Sequence, residues 1–226
     1  MTGTPRDTLR DILDAAARGV FPAPDGGTTV VAQPSGRDAG VLAFTAHSVV
    51  FTDEDPAWVR RTLASADCDA LAATMNVRFL AAFMERTGRR TDTIDVMTVA
   101  APLPDGPPSD GPPSDGPPLA LEQVGDPGHP RVVSARRRRD DVRVWTADGG
   151  VLVLGRGIAG RLEVAVEVAE QARHRGLGRR LALAARRLAG NEPVWAQISP
   201  GNARSMRAFQ AAGYRPVGSE ALFLRG

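Results

Sequence analysis

Lysine is absent from the chain, and all 28 basic residues are arginine. We read that bias, together with the abundance of Ala, Gly and Pro, as GC-rich coding with no functional meaning. Arginine alone lifts the isoelectric point to about 9.4, because guanidinium hardly titrates. The net charge is only +2, so no global excess calls for a polyanionic partner. Cysteine is nearly absent too: Cys68 stands alone, which excludes an internal disulfide framework, and amid Ala and Leu it reads as a small core residue. The opening MTGTPRDTLRDIL has neither a basic leader nor an apolar core. No run approaches the roughly 20 apolar residues that a membrane span needs. These absences lead to the expectation of a soluble, cytoplasmic protein without a membrane partner. At 226 residues the chain is long enough for one large domain or two small ones.

The stretch that organises the rest is VAVEVAEQARHRGLGRRLALAARR, residues 164–187. Val164, Val166 and Val168 alternate, so they predict a strand with one apolar face. A short loop follows, Arg173-His174-Arg175-Gly176-Leu177-Gly178, and then an amphipathic helix. Its apolar face carries Leu177, Leu181, Ala184, Ala185 and Leu188, with Arg179, Arg180, Arg186 and Arg187 on the other. The first N–H groups of a helix lack intrahelical partners, and the helix dipole places positive charge there, so this order suits an anion. Gly176 and Gly178 let backbone approach phosphate oxygens, and Arg173, Arg175 and Arg179 are placed to add charge-assisted bonds.

Arg173, Gly176 and Gly178, after a Val-rich strand and before a helix, resemble the acyl-CoA pyrophosphate loop of the GNAT superfamily of N-acetyltransferases. A second resemblance lies downstream, where 194–198 (VWAQI) read as a strand. Asn202-Ala203-Arg204-Ser205 then open a helix that closes at Ala212-Gly213-Tyr214. The resemblance covers about residues 119–226. It implies an α/β (α+β) fold with a mixed central sheet and flanking helices, and a transferase that moves an acetyl group from acetyl-CoA to a primary amine of a small molecule or protein. It also implies that the strands ending at Val168 and Ile198 splay, with the pantetheine arm paired to backbone near Val166 and Val168. The amides from Arg173 through His174, Arg175, Gly176, Leu177 and Gly178 to Arg179 would hold the diphosphate, and Asn202 and Ser205 would assist or simply cap their helix.

Transfer to an amine needs the neutral nucleophile, yet an alkylamine has a pKa of about 10.4 in water, so a base or water relay must take a proton. Glu163 and Glu167, on the strand that enters the site and opposite its valines, are the candidate bases, with Glu167 nearer the splay. The competing reading for each is an edge carboxylate facing solvent. One departure stands out: the family commonly has a Tyr four residues before the closing Gly to protonate the leaving thiolate, and here that place is Phe209. The only tyrosine, Tyr214, sits at the closing aromatic position and is expected to pack in the core. A non-catalytic acyl-CoA-binding sensor or scaffold is therefore the alternative reading.

Along the remaining chain, Thr4-Pro5 reads as a cap and first helical residue, with Leu9, Ile12, Leu13 and Ala16 as the apolar stripe. Strands are predicted at 28–32, 41–51 and 94–99, and helices from Asp55-Pro56 and through Val77–Met84 to Gly88. Residues 1–103 thus form an N-terminal α/β region without a phosphate loop, either a degenerate half of a duplicated acyltransferase or a family-specific platform. Residues 104–118 read as a polyproline-like or disordered linker; its DGPPS repeat, the 14 residues from Asp105 to Pro118, spans roughly 43 Å at about 3.1 Å per residue. Strands are predicted next at 119–124, 142–147, 151–155 and 161–168, with a helix at 130–139 and a final strand at 221–224. Asp53-Glu54-Asp55 reads as a helix start, and no metal is expected. His47 reads as a hydrogen-bonded structural histidine. Arg136–Arg139 read as a solvated helix face without interleaved aromatics, so no nucleic-acid partner is expected; a second copy of the chain remains a candidate partner.

Overall fold

A computed structural model describes residues 8–103, 119–125 and 128–225. The Thr4-Pro5 cap and the DGPPS repeat lie outside the described residues. In chain order the elements are α1 (Leu9–Ala17), β1 (Thr28–Val31), β2 (Ala39–Phe44), β3 (His47–Phe51), α2 (Pro56–Ala64), α3 (Val77–Thr87), β4 (Arg89–Arg90) and β5 (Asp95–Ala100). They continue as β6 (Glu122–Val124), α4 (Pro130–Arg138), β7 (Asp140–Ala147), β8 (Gly150–Arg156), β9 (Leu162–Val168), α5 (Leu177–Leu188), β10 (Val194–Ile198), α6 (Ala203–Ala211) and β11 (Arg215–Arg225). The fold is mixed α/β, and among the described residues no helix is long and apolar enough to cross a membrane.

The chain divides into two compact units: one reaches to Met97 and resumes at Val217, and the other is Thr98–Pro216. In this division the last strand, expected at the end of a 119–226 domain, falls in the first unit. β11 pairs antiparallel with β2, from Ser219↔Ala43 to Phe223↔Ala39. A strand belongs where its ladder partner is, and that is invisible in sequence distance.

In the first unit β1 pairs parallel with β3, and β2 and β3 form an antiparallel hairpin. Sequence reading expected one strand over 41–51; the chain instead turns at Thr45-Ala46, with Ala46 at φ 53° where glycine would be the usual signal. Phe79, Leu80 and Phe83 of α3 pack with Val41, Val50, Val59 and Phe223. Thr8, four residues after the expected cap, closes a capping box with Asp11 at the start of α1. Cys68 is exposed and not a core residue, since it lies in a polar Asp-Cys-Asp turn. His47 is structural as read: one ring nitrogen meets Asp25 at 2.7 Å and the other Thr29 at 2.9 Å.

The second unit is an antiparallel meander, β6-β7-β8-β9, extended by β10 parallel to β9. The β7–β8 hairpin turns at Asp148 (φ 49°) and Gly149 (φ 80°), the left-handed pair that a tight right-twisted hairpin requires. Alternation then assigns the faces. Leu152, Leu154 and Val164 face Leu177, Leu181 and Ala185 of α5, whereas Val144, Val153 and Ala165 face Val132 and Ala135 of α4. The sheet is thus covered on both sides.

Candidate active site

β9 and β10 stay paired only at Val194↔Leu162 and Trp195↔Glu163. Both strands run on, β9 to Val168 and β10 to Ile198, so they separate as expected. Beyond Glu163, β9 keeps its pairing to β8 on the other edge, as far as Gly150↔Val168. Beside the end of β9 lies a cavity of about 890 Å³ whose wall includes Val166, Glu167, Val168, the loop and α6.

The loop turns tightly into α5. Gly176 adopts φ 75° at the N-cap of α5, with no side chain capping the helix. His174, at φ 64°, also lies in the left-handed region, which a non-glycine residue enters only when its surroundings over-determine it. Among the described residues, the main-chain N–H groups of His174, Arg175, Gly176, Leu177 and Gly178 donate to no protein acceptor. Arg173 is the exception to the expected set, because its amide bonds Glu170 O at 3.2 Å. Its side chain braces the strand end instead, with Nε donating to Val168 O at 3.2 Å. Arg179 Nε donates to Ala211 O at 3.1 Å, tying α5 to α6. A Cβ at Gly178 would meet Ala208 and Val168 only at 3.7 and 3.9 Å. Packing therefore does not demand glycine there.

Asn202 caps α6, its side chain accepting from Ser205 N at 3.0 Å. Both residues line the cavity, as do Val166 and Val168. Phe209 lines it as well and stacks edge-on against Tyr214, with ring centroids 4.8 Å apart. Tyr214 is buried and its hydroxyl donates to Ala182 O at 3.3 Å. Burial pushes its phenol well above the ordinary range, with Arg186 opposing only in part. Tyr214 is thus a core residue, as expected.

The two glutamates of β9 part company. Glu167 is open to solvent, lines the cavity and accepts from Arg131 Nε at 3.1 Å. Glu163 is 3% exposed, so the solvent-facing reading fails for it. Its carboxylate receives Arg161 Nε at 2.7 Å and Arg139 Nε at 2.8 Å. Burial alone would raise its pKa, but the charges and hydrogen bonds of Arg161 and Arg139 outweigh that and hold it at about 2. A carboxylate with both oxygens engaged and so low a pKa has little capacity to take a proton near neutrality. The candidate-base reading of Glu163 is accordingly corrected to a structural one.

Arg139, expected on a solvated face, is instead largely buried, with its guanidinium against Glu163. Its second amino group donates to Gln197 Oε1 at 3.2 Å. Both ends of α4 are therefore tied to β9, Arg131 to Glu167 and Arg139 to Glu163. Eight residues of helix at ~1.5 Å each and four of strand at ~3.3 Å each both span about 12–13 Å. The match fixes α4 antiparallel to β9 and in one register.

Sequence reading missed Arg131, Arg139, Arg161 and Gly157. A Cβ on Gly157 would overlap the Glu163 carboxylate. Gly157→Ala should therefore cost about 2–4 kcal/mol by breaking a buried charge pair, read as an earlier urea midpoint.

No protein-family model and no curated sequence matches the chain. Among solved structures it is similar to a GCN5-related N-acetyltransferase from Kribbella flavida, at 18% identity over 65% of this chain and 64% of that one, with a TM-score of 0.39. A GCN5-related N-acetyltransferase from Sphaerobacter thermophilus aligns at 14% identity over 66% of this chain and 56% of that one, with a TM-score of 0.37. The chain spans less than two thirds of either protein's length.

Proposed function

We propose that the chain is a GNAT-superfamily acyl-CoA-dependent N-acetyltransferase that passes an acetyl group from acetyl-CoA to a primary amine of a small molecule or protein. The observation that carries this reading is the run of unpartnered amides from His174 to Gly178, set where β9 parts from β10. Unpartnered main-chain donors at a helix start suit a diphosphate. The gap between the strands offers β9's backbone edge to the amides of a pantetheine arm, near Val166 and Val168.

In the reaction the amine nitrogen attacks the thioester carbonyl, the C–S bond breaks, and the amine loses a proton. Glu167 is the one of the two candidate bases that borders the cavity, and it takes that proton directly or through water. The thiolate, with an intrinsic pKa of about 8.5, leaves without a tyrosine and is protonated from water. Phe209, where a tyrosine acid would stand, favours a second reading in which the site binds acyl-CoA as a sensor or scaffold without chemistry.

Release of free thiol from acetyl-CoA with an amine library separates the two readings. Turnover with a subset of amines is expected; binding without thiol release across the library would leave the sensor. Glu167→Gln should lower kcat at neutral pH by about 10²-fold or more while sparing coenzyme affinity. An unchanged rate would remove Glu167 as base.

A further inference from the structure

The loop's five amides, with Arg173, Arg175 and Arg179 beside them, are enough for a diphosphate, yet the same cavity has more cationic charge. Arg204 and Arg207 of α6 also line it. Neither makes an ion pair or a hydrogen bond among the described residues, and they are the only charged residues of α6. Their placement runs against local electrostatics twice. Arg204 stands in the first turn, at the positive end of the helix dipole, where an acidic residue would be favoured. Arg207 follows three residues later, so two like charges share one face at a spacing of about 5–6 Å between Cβ atoms. Residues that break local rules without compensation inside the protein mark places where something else compensates. The acidic side chain of the cavity wall, Glu167, is engaged by Arg131.

We infer that Arg204 and Arg207 form a second anion subsite, distinct from the diphosphate cradle, that grips the phosphomonoester on the ribose of coenzyme A and so selects it over its dephosphorylated form. This rests on the acyl-CoA reading above. Two guanidiniums on one helix face can converge on a dianionic phosphate with charge-assisted bonds. A diphosphate held by backbone amides at α5 leaves that phosphate as the ligand's one remaining strongly anionic group.

Calorimetry of the full chain with coenzyme A and with dephospho-coenzyme A tests the inference. Dephospho-coenzyme A is expected to bind about tenfold more weakly or worse, a gap of about 1.4 kcal/mol. Arg204→Gln/Arg207→Gln should lower coenzyme A to the affinity of its dephosphorylated form and leave the latter's affinity unchanged, and the single variants should each close part of the gap. Both side chains are at the surface, and circular dichroism checks that the variants fold. Equal affinities for the two ligands in the unaltered chain would overturn the subsite while leaving the proposed function standing. A variant that weakens both ligands alike would also overturn it, by reducing the arginines to a general field. Absence of binding by either ligand would overturn the acyl-CoA reading as well.

Discussion

Gly178→Glu should abolish coenzyme A binding, with at least a 100-fold rise in Kd, and leave the melting temperature unchanged or slightly higher. The two effects separate because they act on different things. The protein accommodates a Cβ at this position at ordinary contact distance. A carboxylate in the first turn of α5 interacts favourably with the helix dipole, by about 0.3–1 kcal/mol. The same carboxylate would occupy the donors from His174 to Gly178 and repel a diphosphate. Gly178→Ala, which adds bulk without charge, should weaken binding less. A Glu variant that folds and binds as tightly as the unaltered chain would remove the loop from the ligand's path.

Glu163→Gln should be the most damaging single substitution in the second unit. It takes away the carboxylate that both Arg161 and Arg139 engage, with side chains only 2% and 10% exposed. Removing one partner of a buried pair costs about 3–5 kcal/mol. A pH signature distinguishes this from lost packing. The carboxyl falls from its ordinary 4.5 to about 2 on folding, so its stabilisation is complete above about pH 4.5 and is lost as pH falls toward 2. The shift corresponds to roughly 3 kcal/mol. Urea titrations between pH 5 and 2.5 should show that loss in the unaltered chain and a flatter profile in Glu163→Gln; parallel profiles would contradict the assignment. Restoring a carboxylate with Glu163→Asp should recover part of the stability, limited by the shorter reach to both guanidiniums.

The loop and its helix were legible in the sequence because their signals are local. Alternating valines, two glycines and an i, i+4 apolar stripe each act within a few residues, and β9, α5, the Asp148-Gly149 turn and the Asn202 cap stand where those patterns put them. What was not legible depends on pairing across the chain. The burial of Glu163 follows from Arg139 lying beside it across the sheet and from Gly157 lacking a Cβ, neither of which is adjacent in sequence. The hairpin at Thr45-Ala46 was missed because an alanine holds a conformation that normally announces itself as glycine. The partner of β11 was not legible, because nothing along residues 217–225 says that β2 is its neighbour. Arg204 and Arg207 were visible as residues and silent as a pair, since a cation near a helix start acquires meaning only when the wall it lines is known.

The ladder between β2 and β11 makes the proline-rich repeat a poor place to divide this protein. A scission there would release one fragment with a vacant seam along β2 and another trailing an apolar ribbon, Ala221, Leu222 and Phe223, with nothing to zip against. Each piece would carry the sticky edge that the other neutralises. The two stretches of polypeptide are therefore obligate companions in folding.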